Sequence, residues 1–574
     1  MFGIDLGVFL HTNESVFKLC YKKIYTVSMT LGGRNMSERK KWLDLYPENV
    51  AKDLEIPKVS LPEMLRETVA KYPDHKALSF FGRKLTYREL QGGVLGFAAA
   101  LQSKGVQKGD RVAIMLPNCP QYVITYYGIL SSGGIVTQIN PMLVERELEY
   151  ILNDSGTETI IVLDALYPKV KNVQENTNLK NVIVVSLQPS GQSFGSDPTF
   201  ESFLASATQP FNPVEIEPEH DVAILQYTGG TTGRSKGAML THRNIYANVF
   251  QCYEFFKDEM KIAQEKILTV IPLFHVFGMT SCMNLSIFTA AESIMLPRFE
   301  LEEVLNTIKQ EQPSIFPGVP TMYVAITNHP NAEKYGIDSI KTCNSGSAPM
   351  PVELLKEFEG KTGSKILEGY GLSEASPTTH CNPHFADRKP GSVGIGVPST
   401  DYKIVDLADG ETEVPVGELG EIIIKGPQVM KGYWNMPEET AATLKNGWLY
   451  TGDIGRVDEE GYLYIVDRKK DMIIASGYNI YPRDVEEVLY EHPAVQEAVV
   501  IGVPDPYRGE TVKAVIVQKA GKAATEEEII NYCKGNMAAY RVPSIVEFRK
   551  ELPKTAVGKI LRRALRDEVK SQNK

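Results

Sequence analysis

The alternation of apolar and polar positions becomes regular from about residue 57 onward. The apolar spacing predicts helices at residues 61–72, 85–104, 121–130 and 143–153. Apolar runs of strand length lie at residues 111–116, 159–163, 181–186 and 222–227. Because strands alternate with helices, we expect mostly parallel sheets that are covered on both faces.

Three later regions differ in composition. Residues 188–213 are rich in Ser, Pro and Gly, which predicts a surface connection. From residue 401 onward Gly and β-branched residues become frequent, and the segment after residue 467 has the pattern of a compact α+β unit. The predicted fold class is therefore α/β: a large N-terminal domain of layered mixed α/β sheets with a β-rich subdomain, followed by a small α+β C-terminal domain.

The first 35 residues do not share this order. Their apolar positions show no clear helical or strand periodicity. Gly32 and Gly33 stand shortly before Met36. One interpretation is that the glycine codons belong to a translated ribosome-binding tract, so that Met36 is the true start and residues 1–35 are not native. The other is a disordered N-terminal arm, and the sequence alone leaves both open.

The composition is that of a globular protein. Of the 574 residues, 43% are hydrophobic and 23% charged, which excludes collagen-like, coiled-coil and largely disordered classes. The net charge of -10 argues against nucleic acid as a partner, because phosphate contacts need an excess of Lys and Arg. The seven cysteines form no C-x-x-C pair, so we expect no disulfide framework or cysteine zinc site, and a reducing cytosol.

Two stretches without charged residues, 112–144 and 267–291, have the length of membrane spans. Both are interrupted by proline and polar residues, among them Pro117 and Pro272. They therefore predict buried layers of an α/β protein rather than transmembrane helices. No signal peptide is expected, because Asp5 interrupts the N-terminal apolar run.

The strongest candidate for chemistry is the segment 227–237, Tyr-Thr-Gly-Gly-Thr-Thr-Gly-Arg-Ser-Lys-Gly, which follows an apolar run. Glycines allow close backbone approach to a polyanion, threonines offer hydroxyls, and a lysine adds positive charge, which favours a phosphate-binding loop over a flexible hairpin. The Walker spacing fails, because Arg234 follows Gly233. The candidate residues are Thr228, Gly229, Gly230, Thr231, Thr232, Gly233 and Lys236.

Further candidate segments carry charged residues close to glycine or proline. They are residues 368–374, 448–453, 467–471 with 477–479, and 553–559. Glu374 on its glycine-rich turn could hold Mg²⁺, and Asp453 could accept hydrogen bonds from both ribose hydroxyls. Taken singly, each of these segments is better explained by solvated or turn residues. Taken alone, Lys559 and the basic residues that follow it would form a basic helix face that could touch anionic lipid.

Taken together, in this order and spacing, the segments resemble the adenylate-forming acyl-CoA synthetase superfamily. The resemblance extends from about residue 61 to residue 563 and is greatest to bacterial long-chain fatty acid–CoA ligases. It departs from many relatives at Ser235, where they place proline before the loop lysine. The resemblance implies a reaction in two halves, in which a carboxylate attacks the α-phosphate of ATP and the thiol of CoA then displaces AMP from the acyl-AMP.

The resemblance also implies a role for each candidate residue. Thr228, Glu374 and Lys559 would be catalytic, with Lys559 between the attacking carboxylate and the α-phosphate and Glu374 as the Mg²⁺ ligand. The loop from Thr228 to Lys236 would hold the β- and γ-phosphates. The remaining roles are Gly346, Tyr370 and Gly371 at the adenine, Asp453 and Arg468 at the ribose, Lys470 as the hinge, Gly477 in the CoA passage and His275 in the acyl pocket.

The sequence thus predicts a cytoplasmic enzyme that uses a fatty acid, ATP and CoA with Mg²⁺. The implied domains are an adenylation domain at residues 36–467 and a mobile C-terminal domain at residues 468–574. A medium-chain or aryl acyl-CoA ligase and a non-catalytic lipid-binding paralogue are the alternatives. Chain-length preference, a homodimer and peripheral contact with the inner face of the cell membrane stay open.

Overall fold

The structure is a computed structural model that describes residues 40–188, 191–228, 235–475, 478–556 and 558–572. The described residues from Trp42 onward belong to one unit that holds four β-sheets. None of the helices within these ranges combines the length and the apolar character that crossing a lipid bilayer requires.

The strands of the described residues are numbered in chain order. The first part of the chain contains β1 (Lys76–Phe80), β2 (Arg83–Thr86), β3 (Arg111–Met115), β4 (Ile135–Gln138), β5 (Thr159–Leu163), β6 (Asn181–Val185), β7 (Val222–Thr228), β8 (Lys236–Thr241), β9 (Lys266–Thr269), β10 (Glu292–Met295), β11 (Ile315–Gly318), β12 (Thr342–Ser345) and β13 (Lys365–Gly371). The second part contains β14 (Thr378–Cys381), β15 (Ile395–Gly396), β16 (Asp401–Val405), β17 (Gly420–Lys425), β18 (Gly432–Tyr433), β19 (Leu444–Lys445), β20 (Trp448–Val457), β21 (Leu463–Arg468), β22 (Ile473–Ala475), β23 (Tyr478–Ile480), β24 (Val495–Asp505), β25 (Gly509–Gln518) and β26 (Ile545–Arg549).

The α-helices are numbered in the same way. They are α1 (Leu61–Lys71), α2 (Tyr87–Ser103), α3 (Pro120–Ser131), α4 (Glu145–Ser155), α5 (Tyr167–Gln174), α6 (Phe200–Ala205), α7 (His242–Phe256), α8 (Leu285–Thr289), α9 (Leu301–Glu311), α10 (Pro320–Asn328), α11 (Val352–Thr362), α12 (Pro437–Thr443), α13 (Pro482–Tyr490), α14 (Glu526–Asn536) and α15 (Arg562–Gln572). A π-helix, Gly278–Asn284, runs directly into α8.

Sheet I has the strand order β18-β8-β7-β4-β3-β5-β6, in which β7, β4, β3, β5 and β6 are parallel. Its inner strands are short runs of Val and Ile, because both faces are buried. In β5, Ile160 and Val162 pack in one apolar cluster with residues of α4 and α5, whereas Ile161 packs in the cluster on the other face. This is the double coverage that the sequence pattern predicts.

Sheet II has the strand order β15-β14-β13-β12-β11-β9-β10-β1-β2. The strands from β13 to β1 in this order are parallel, and the outer strands at each end are antiparallel. In open α/β sheets, ligands bind beyond the carboxyl ends of the parallel strands. The ends of β12 and β13, at Ser345 and Gly371, are therefore expected to border a site.

Two smaller sheets complete the unit. Sheet III is antiparallel, with β16-β17-β20-β19 in order and β21 paired to β20, and its first strand begins at Asp401. Sheet IV contains β23-β22-β25-β24 with β26 parallel to β25, and it has its own apolar core with α13 and α14. The predicted fold class, mixed α/β sheets with a β-rich part and a small α+β C-terminal part, is confirmed; the mobility of that last part stays a prediction.

Some local predictions differ from the structure. The predicted helix 85–104 begins as strand β2, and α2 starts only after Thr86, where Thr86 and Glu89 form a capping box. The predicted surface connection 188–213 contains α6, whose Phe200 and Phe203 are buried against Phe97. Two aromatic rings were enough to anchor a short helix within a segment whose composition is otherwise that of a loop.

Candidate active site

Asp453 lies at the centre of the candidate nucleotide site. It stands in β20 directly opposite Arg468 of β21, and the Arg468 Nε lies 3.3 Å from the Asp453 Oδ1. From sheet II, the Tyr370 hydroxyl donates a hydrogen bond of 2.6 Å to the Asp453 Oδ2. Burial and the neighbouring carboxylate raise the pKa of Tyr370 well above its ordinary value, so the phenol stays a donor. A 7% exposed carboxylate is thus held in one orientation by two sheets.

The glycines predicted at the adenine lie at the ends of sheet II strands. Gly346 follows β12 and is packed against the ring of Phe277, where a Cβ would lie 3.3 Å from the ring. Gly371 ends β13, beside Tyr370. Both glycines therefore lie at the carboxyl ends of neighbouring parallel strands, where ligands bind in open α/β sheets.

Glu374, the predicted Mg²⁺ ligand, lies in a short 3₁₀ turn after β13. The Tyr433 hydroxyl donates a hydrogen bond of 2.7 Å to its Oε1. The Lys236 ammonium lies over the ring of Tyr433, 5.2 Å from its centroid, and pairs with Glu439. Tyr433 therefore connects the metal candidate with the lysine of the phosphate-loop candidate, although these residues are far apart in the sequence.

The site fits a Mg²⁺ ion that arrives with a nucleotide. Glu374 offers a carboxylate, and within the described ranges no three His, Cys, Asp or Glu side chains cluster as a metal cage. Mg²⁺ in nucleotide enzymes is usually held by one or two carboxylates, with phosphates and water as its other ligands. One oriented carboxylate, connected through Tyr433 to the lysine of the phosphate-loop candidate, meets that requirement.

The phosphate-loop candidate connects β7 to β8, two neighbouring antiparallel strands of sheet I. Thr228 and Lys236 are paired across these strands, while Gly229, Gly230, Thr231, Thr232 and Gly233 lie outside the described residues. Side chains of α4 fix both ends of the loop: Tyr227 donates to the Asp154 Oδ2 at 2.5 Å, and Tyr150 donates to the Ser235 carbonyl at 3.1 Å.

Lys559 reaches this site from the C-terminal part of the chain. Its turn is closed by hydrogen bonds between the backbones of Thr555 and Lys559 and from the Lys559 N–H to the Thr555 Oγ1. Gly558, at φ 74°, is pressed against α10: a Cβ there would lie 2.7 Å from the Thr321 Oγ1. The lysine is thereby docked against the end of sheet II.

Lys559, the predicted catalytic lysine, is buried close to several charged groups. Burial and the positive charge of Arg468 lower the pKa of Lys559 to about 7, against the opposing effect of Asp453. Burial and the Lys559 charge lower the pKa of His275 to about 4, so His275 is neutral at pH 7. The structure therefore brings Lys559, His275, Asp453 and Arg468 within electrostatic reach of one another. A cation beside an oriented ribose acceptor can stabilise negative charge that develops between two bound anions.

The segment that carries His275 is clamped by three buried amides that the sequence analysis missed. Asn118 donates to the carbonyls of Thr269 and Ile271, at 3.3 and 3.1 Å, and accepts from the Leu273 N–H at 2.8 Å. From the parallel strands of sheet I, Gln138 donates to the Leu273 carbonyl at 3.2 Å and Gln226 to the Phe274 carbonyl at 3.3 Å. A polar amide within an otherwise apolar strand was the available signal.

His275, the residue predicted in the acyl pocket, lies in the segment that leads into the π-helix. The π-helix follows Phe277 and forms one wall, and strands β11 and β12 form the other. A small cavity between them is lined by Met260, Ser281, Leu285, Ile315 and Pro317, among others. π-Helical segments often occur at functional sites.

The two candidates for the second half-reaction are less defined. Lys470 lies in the turn after β21, and the Arg566 guanidinium donates to its carbonyl at 3.5 Å. The predicted domain boundary, between residues 467 and 468, thus falls at the end of β21. Gly477, predicted in the CoA passage, lies outside the described residues.

Comparison with known proteins yields a family and close relatives. A model of the AMP-binding enzyme family matches residues 65–434, and a model of the AMP-binding enzyme C-terminal domain matches residues 484–559. A long-chain-fatty-acid–CoA ligase of Bacillus subtilis is 50% identical over 554 residues, which cover 93% of this chain and 99% of that protein. One of Escherichia coli O6:H1 is 38% identical, with the same coverage of 93% and 99%.

A solved structure has the same architecture. An anthranilate CoA ligase in complex with anthranoyl-AMP superposes with a TM-score of 0.83 and 29% identity, over 91% of this chain and 99% of that one. The resemblance inferred from the motifs is thereby confirmed. The chain belongs to the AMP-binding enzyme family.

Proposed function

We propose that the protein is a long-chain fatty acid–CoA ligase. It joins a fatty acid to CoA at the expense of ATP, and it releases AMP and pyrophosphate. The observation that carries the proposal is the docking of Lys559, from the C-terminal part, beside the Tyr370–Asp453–Arg468 group of the large part. The high identity to long-chain-fatty-acid–CoA ligases over nearly the whole chain supports the choice of substrates.

In the first half-reaction an oxygen of the fatty acid carboxylate attacks the α-phosphorus of ATP. The bond from the α-phosphorus to the bridging oxygen breaks, and the electron pair leaves with pyrophosphate. Lys559 lies between the two anions and offsets their repulsion. Its depressed pKa in the free protein rises when ATP and the carboxylate bind, because both bring negative charge.

The nucleotide is held by residues of sheets I, II and III. Asp453 accepts hydrogen bonds from the ribose hydroxyls, and Arg468 orients its carboxylate. Gly346, Tyr370 and Gly371 border the adenine. The phosphates are held by the loop from Thr228 to Lys236, whose anchors on α4 support a fixed loop base.

Glu374 would hold Mg²⁺, and Tyr433 orients its carboxylate. The ion supplies neutralisation of phosphate charge when it is bound. Lys236, stacked on the same Tyr433, adds a second positive charge on the phosphate side.

In the second half-reaction the CoA thiol attacks the acyl carbonyl, and AMP leaves with the electron pair of the mixed anhydride bond. We assign residues 36–467 to an adenylation domain and residues 468–574 to a mobile domain that turns about Lys470. Gly477 then lines the passage for the CoA arm, and the segment 1–35 takes no part in catalysis. The chemistry requires no residue of the first 35.

The acyl chain lies against the π-helix, with its carboxylate toward Lys559 and His275. A neutral His275 suits a site for an apolar acyl chain better than a charged one would. The superposition on an anthranilate CoA ligase supports a second candidate function, a medium-chain or aryl acyl-CoA ligase. The same pocket would then hold a shorter or planar acid.

The experiment is pyrophosphate release measured with fatty acids of increasing length and with one aromatic acid, followed by acyl-CoA formation. The proposal expects the highest kcat/KM with long chains and no activity without Mg²⁺. Release with the aromatic acid alone would exclude the fatty acid assignment. The enzyme is expected in the cytoplasm; vesicle sedimentation and analytical ultracentrifugation decide whether it also contacts membranes or forms a homodimer.

A further inference from the structure

Helix α13 is the element through which the C-terminal part rests on sheet II. Arg483 and Glu487 lie four residues apart in it, so they share one helix face. Both side chains contact groups of the large part, Glu368 of β13 and Val352 at the start of α11. Neither α13 residue belongs to the site motifs described above.

Arg483 lies between two parts of the fold. Its Nη2 is 3.8 Å from the Glu368 Oε1, and the two side chains are only 9% and 2% exposed. Its Nη1 donates a hydrogen bond of 2.6 Å to the Ile465 carbonyl of sheet III. The guanidinium is thus fixed by sheet III and presents its charge to a buried carboxylate of sheet II.

Glu368 depends on this contact. Its Oε1 accepts from the Met350 N–H at 3.2 Å, while its buried Oε2 has no hydrogen-bond partner in the part of the chain that the structure describes. Burial raises the pKa of Glu368 to about 7, and Arg483 acts against that rise. Without the guanidinium, a buried carboxyl would be left uncompensated, which is strongly unfavourable.

Glu487 completes the contact at a helix end. Helix α11 begins after Pro351, the N-cap residue. The proline side chain has no acceptor for the first N–H groups of the helix. The Glu487 carboxyl lies near this helix start: burial raises its pKa, and Arg483 and the Val352 N–H act against that rise. A carboxylate at a helix N-terminus is also favoured by the helix dipole.

The same helix leads to the catalytic lysine. Glu486, next to Glu487, pairs with Arg562 at 2.5 Å, and Arg562 stands three residues after Lys559. A displacement of α13 from sheet II would therefore also displace Arg562 and, with it, the turn that carries Lys559. The path runs from Glu368 through α13 to Arg562 and so to the lysine.

We infer that Glu368, Arg483 and Glu487 form a seat that holds the C-terminal part in the arrangement needed for adenylate formation. Arg483 and Glu487 are positioning residues: they act through Lys559 and touch no substrate. The inference rests on the proposed function. Rotation about Lys470 must break the seat, since it separates α13 from β13 and α11.

The test compares two half-reactions in Glu487→Ala and Glu368→Gln. Pyrophosphate release from ATP and fatty acid should fall about tenfold. Each variant removes a contact of a charged group that exists only in the arrangement for adenylate formation. Acyl-CoA formation from supplied acyl-AMP and CoA should be unchanged or faster. The matched control is Glu491→Ala, which makes the same change at the exposed end of α13 and should alter neither rate.

Equal losses in both half-reactions, or no loss in either, would overturn the inference. Hydrogen exchange gives a readout that does not depend on activity. In Glu487→Ala, but not in Glu491→Ala, exchange should accelerate in the first turn of α11 and in residues 558–561. A wild-type protein that activates no acid would refute the proposed function, while the exchange pattern would still decide on the seat.

Discussion

Asp453 and Lys559 serve the same proposed site but are held in opposite ways. Asp453 is fixed by strand pairing within sheet III and by a hydroxyl from sheet II, so its position is set by the body of the fold. Lys559 lies on a turn that is closed by its own local hydrogen bonds and reaches the site through the docking of Gly558 and α13.

The difference separates binding from chemistry. In the proposed mechanism, Asp453 and Tyr370 belong to paired strands and need not move between the half-reactions. Lys559, which we propose to assist the attack on phosphorus, belongs to the part that we propose to turn away from the nucleotide pocket in the second half-reaction. Mutations on the two sides should therefore have different kinetic signatures.

The largest effect is expected from Lys559→Ala. Removal of the cation should lower adenylate formation about 10²- to 10³-fold, the usual loss for one preorganised electrostatic group. Conversion of supplied acyl-AMP and CoA should continue, because no attack on the α-phosphate remains to be assisted. Pyrophosphate release and thioester formation measured separately give the answer.

Two variants sharpen this result. Lys554→Ala removes a lysine of the same loop that pairs with Glu497 of sheet IV, and it should leave adenylate formation nearly unchanged. Gly477→Leu should have the reverse defect of Lys559→Ala, forming acyl-AMP but transferring it slowly. If Lys559→Ala and Gly477→Leu lose both half-reactions equally while folded, the division of roles is wrong.

Asp453→Ala is expected to have the next largest effect. The loss of a charged acceptor costs about 1.5–3 kcal/mol, so the KM for ATP should rise about 10- to 100-fold. The KM for the fatty acid should change little, because the carboxylate faces the ribose side. Steady-state kinetics with each substrate varied in turn distinguish this from a folding defect, which would affect both.

Gly558→Ala tests the docking contact itself. The added Cβ would lie 2.7 Å from the Thr321 Oγ1, and φ 74° disfavours any side chain, so adenylate formation should fall about tenfold. Adding Thr321→Ala removes the oxygen and should restore part of the rate. An unchanged rate in Gly558→Ala would mean that the lysine does not need this contact.

The smallest effect is expected from pH. The pKa of Lys559 is about 7 in the folded protein, below its ordinary value, so the cation is present below pH 7 and is lost as pH rises. Between pH 7 and 8 the kcat/KM for adenylate formation should therefore fall about fivefold, since this parameter reports the free enzyme. Lys559→Arg should remove this decline, because a guanidinium stays charged. A decline that persists in Lys559→Arg would assign it to another group.

Much of the fold followed from local patterns in the sequence. The Val- and Ile-rich runs predicted the buried parallel strands, and the change of composition near residue 401 marked the start of sheet III at Asp401. The π-helix and α6 were missed. Both depend on what their few apolar side chains meet in three dimensions, and Phe200 packing on Phe97 has no local signature.

The candidate site divides in the same way. Residues such as Asp453, Glu374 and Lys559 stand in short motifs, so the sequence alone was enough to name them. Their partners could not be named in this way, because the contacts join distant segments: Tyr433 lies 59 residues from Glu374 along the chain. Arg483 stands within a charged helix, and only the packing of that helix on Glu368 gives it a role.

The amide clamp on the His275 segment has a consequence for how such enzymes diversify. Asn118, Gln138 and Gln226 donate to backbone carbonyls, which every residue type possesses. The side chains of the His275 segment can therefore change without loss of the hydrogen bonds that connect the two large sheets there. New acid preferences could arise there by substitution alone, while the distance from the pocket to the nucleotide is preserved.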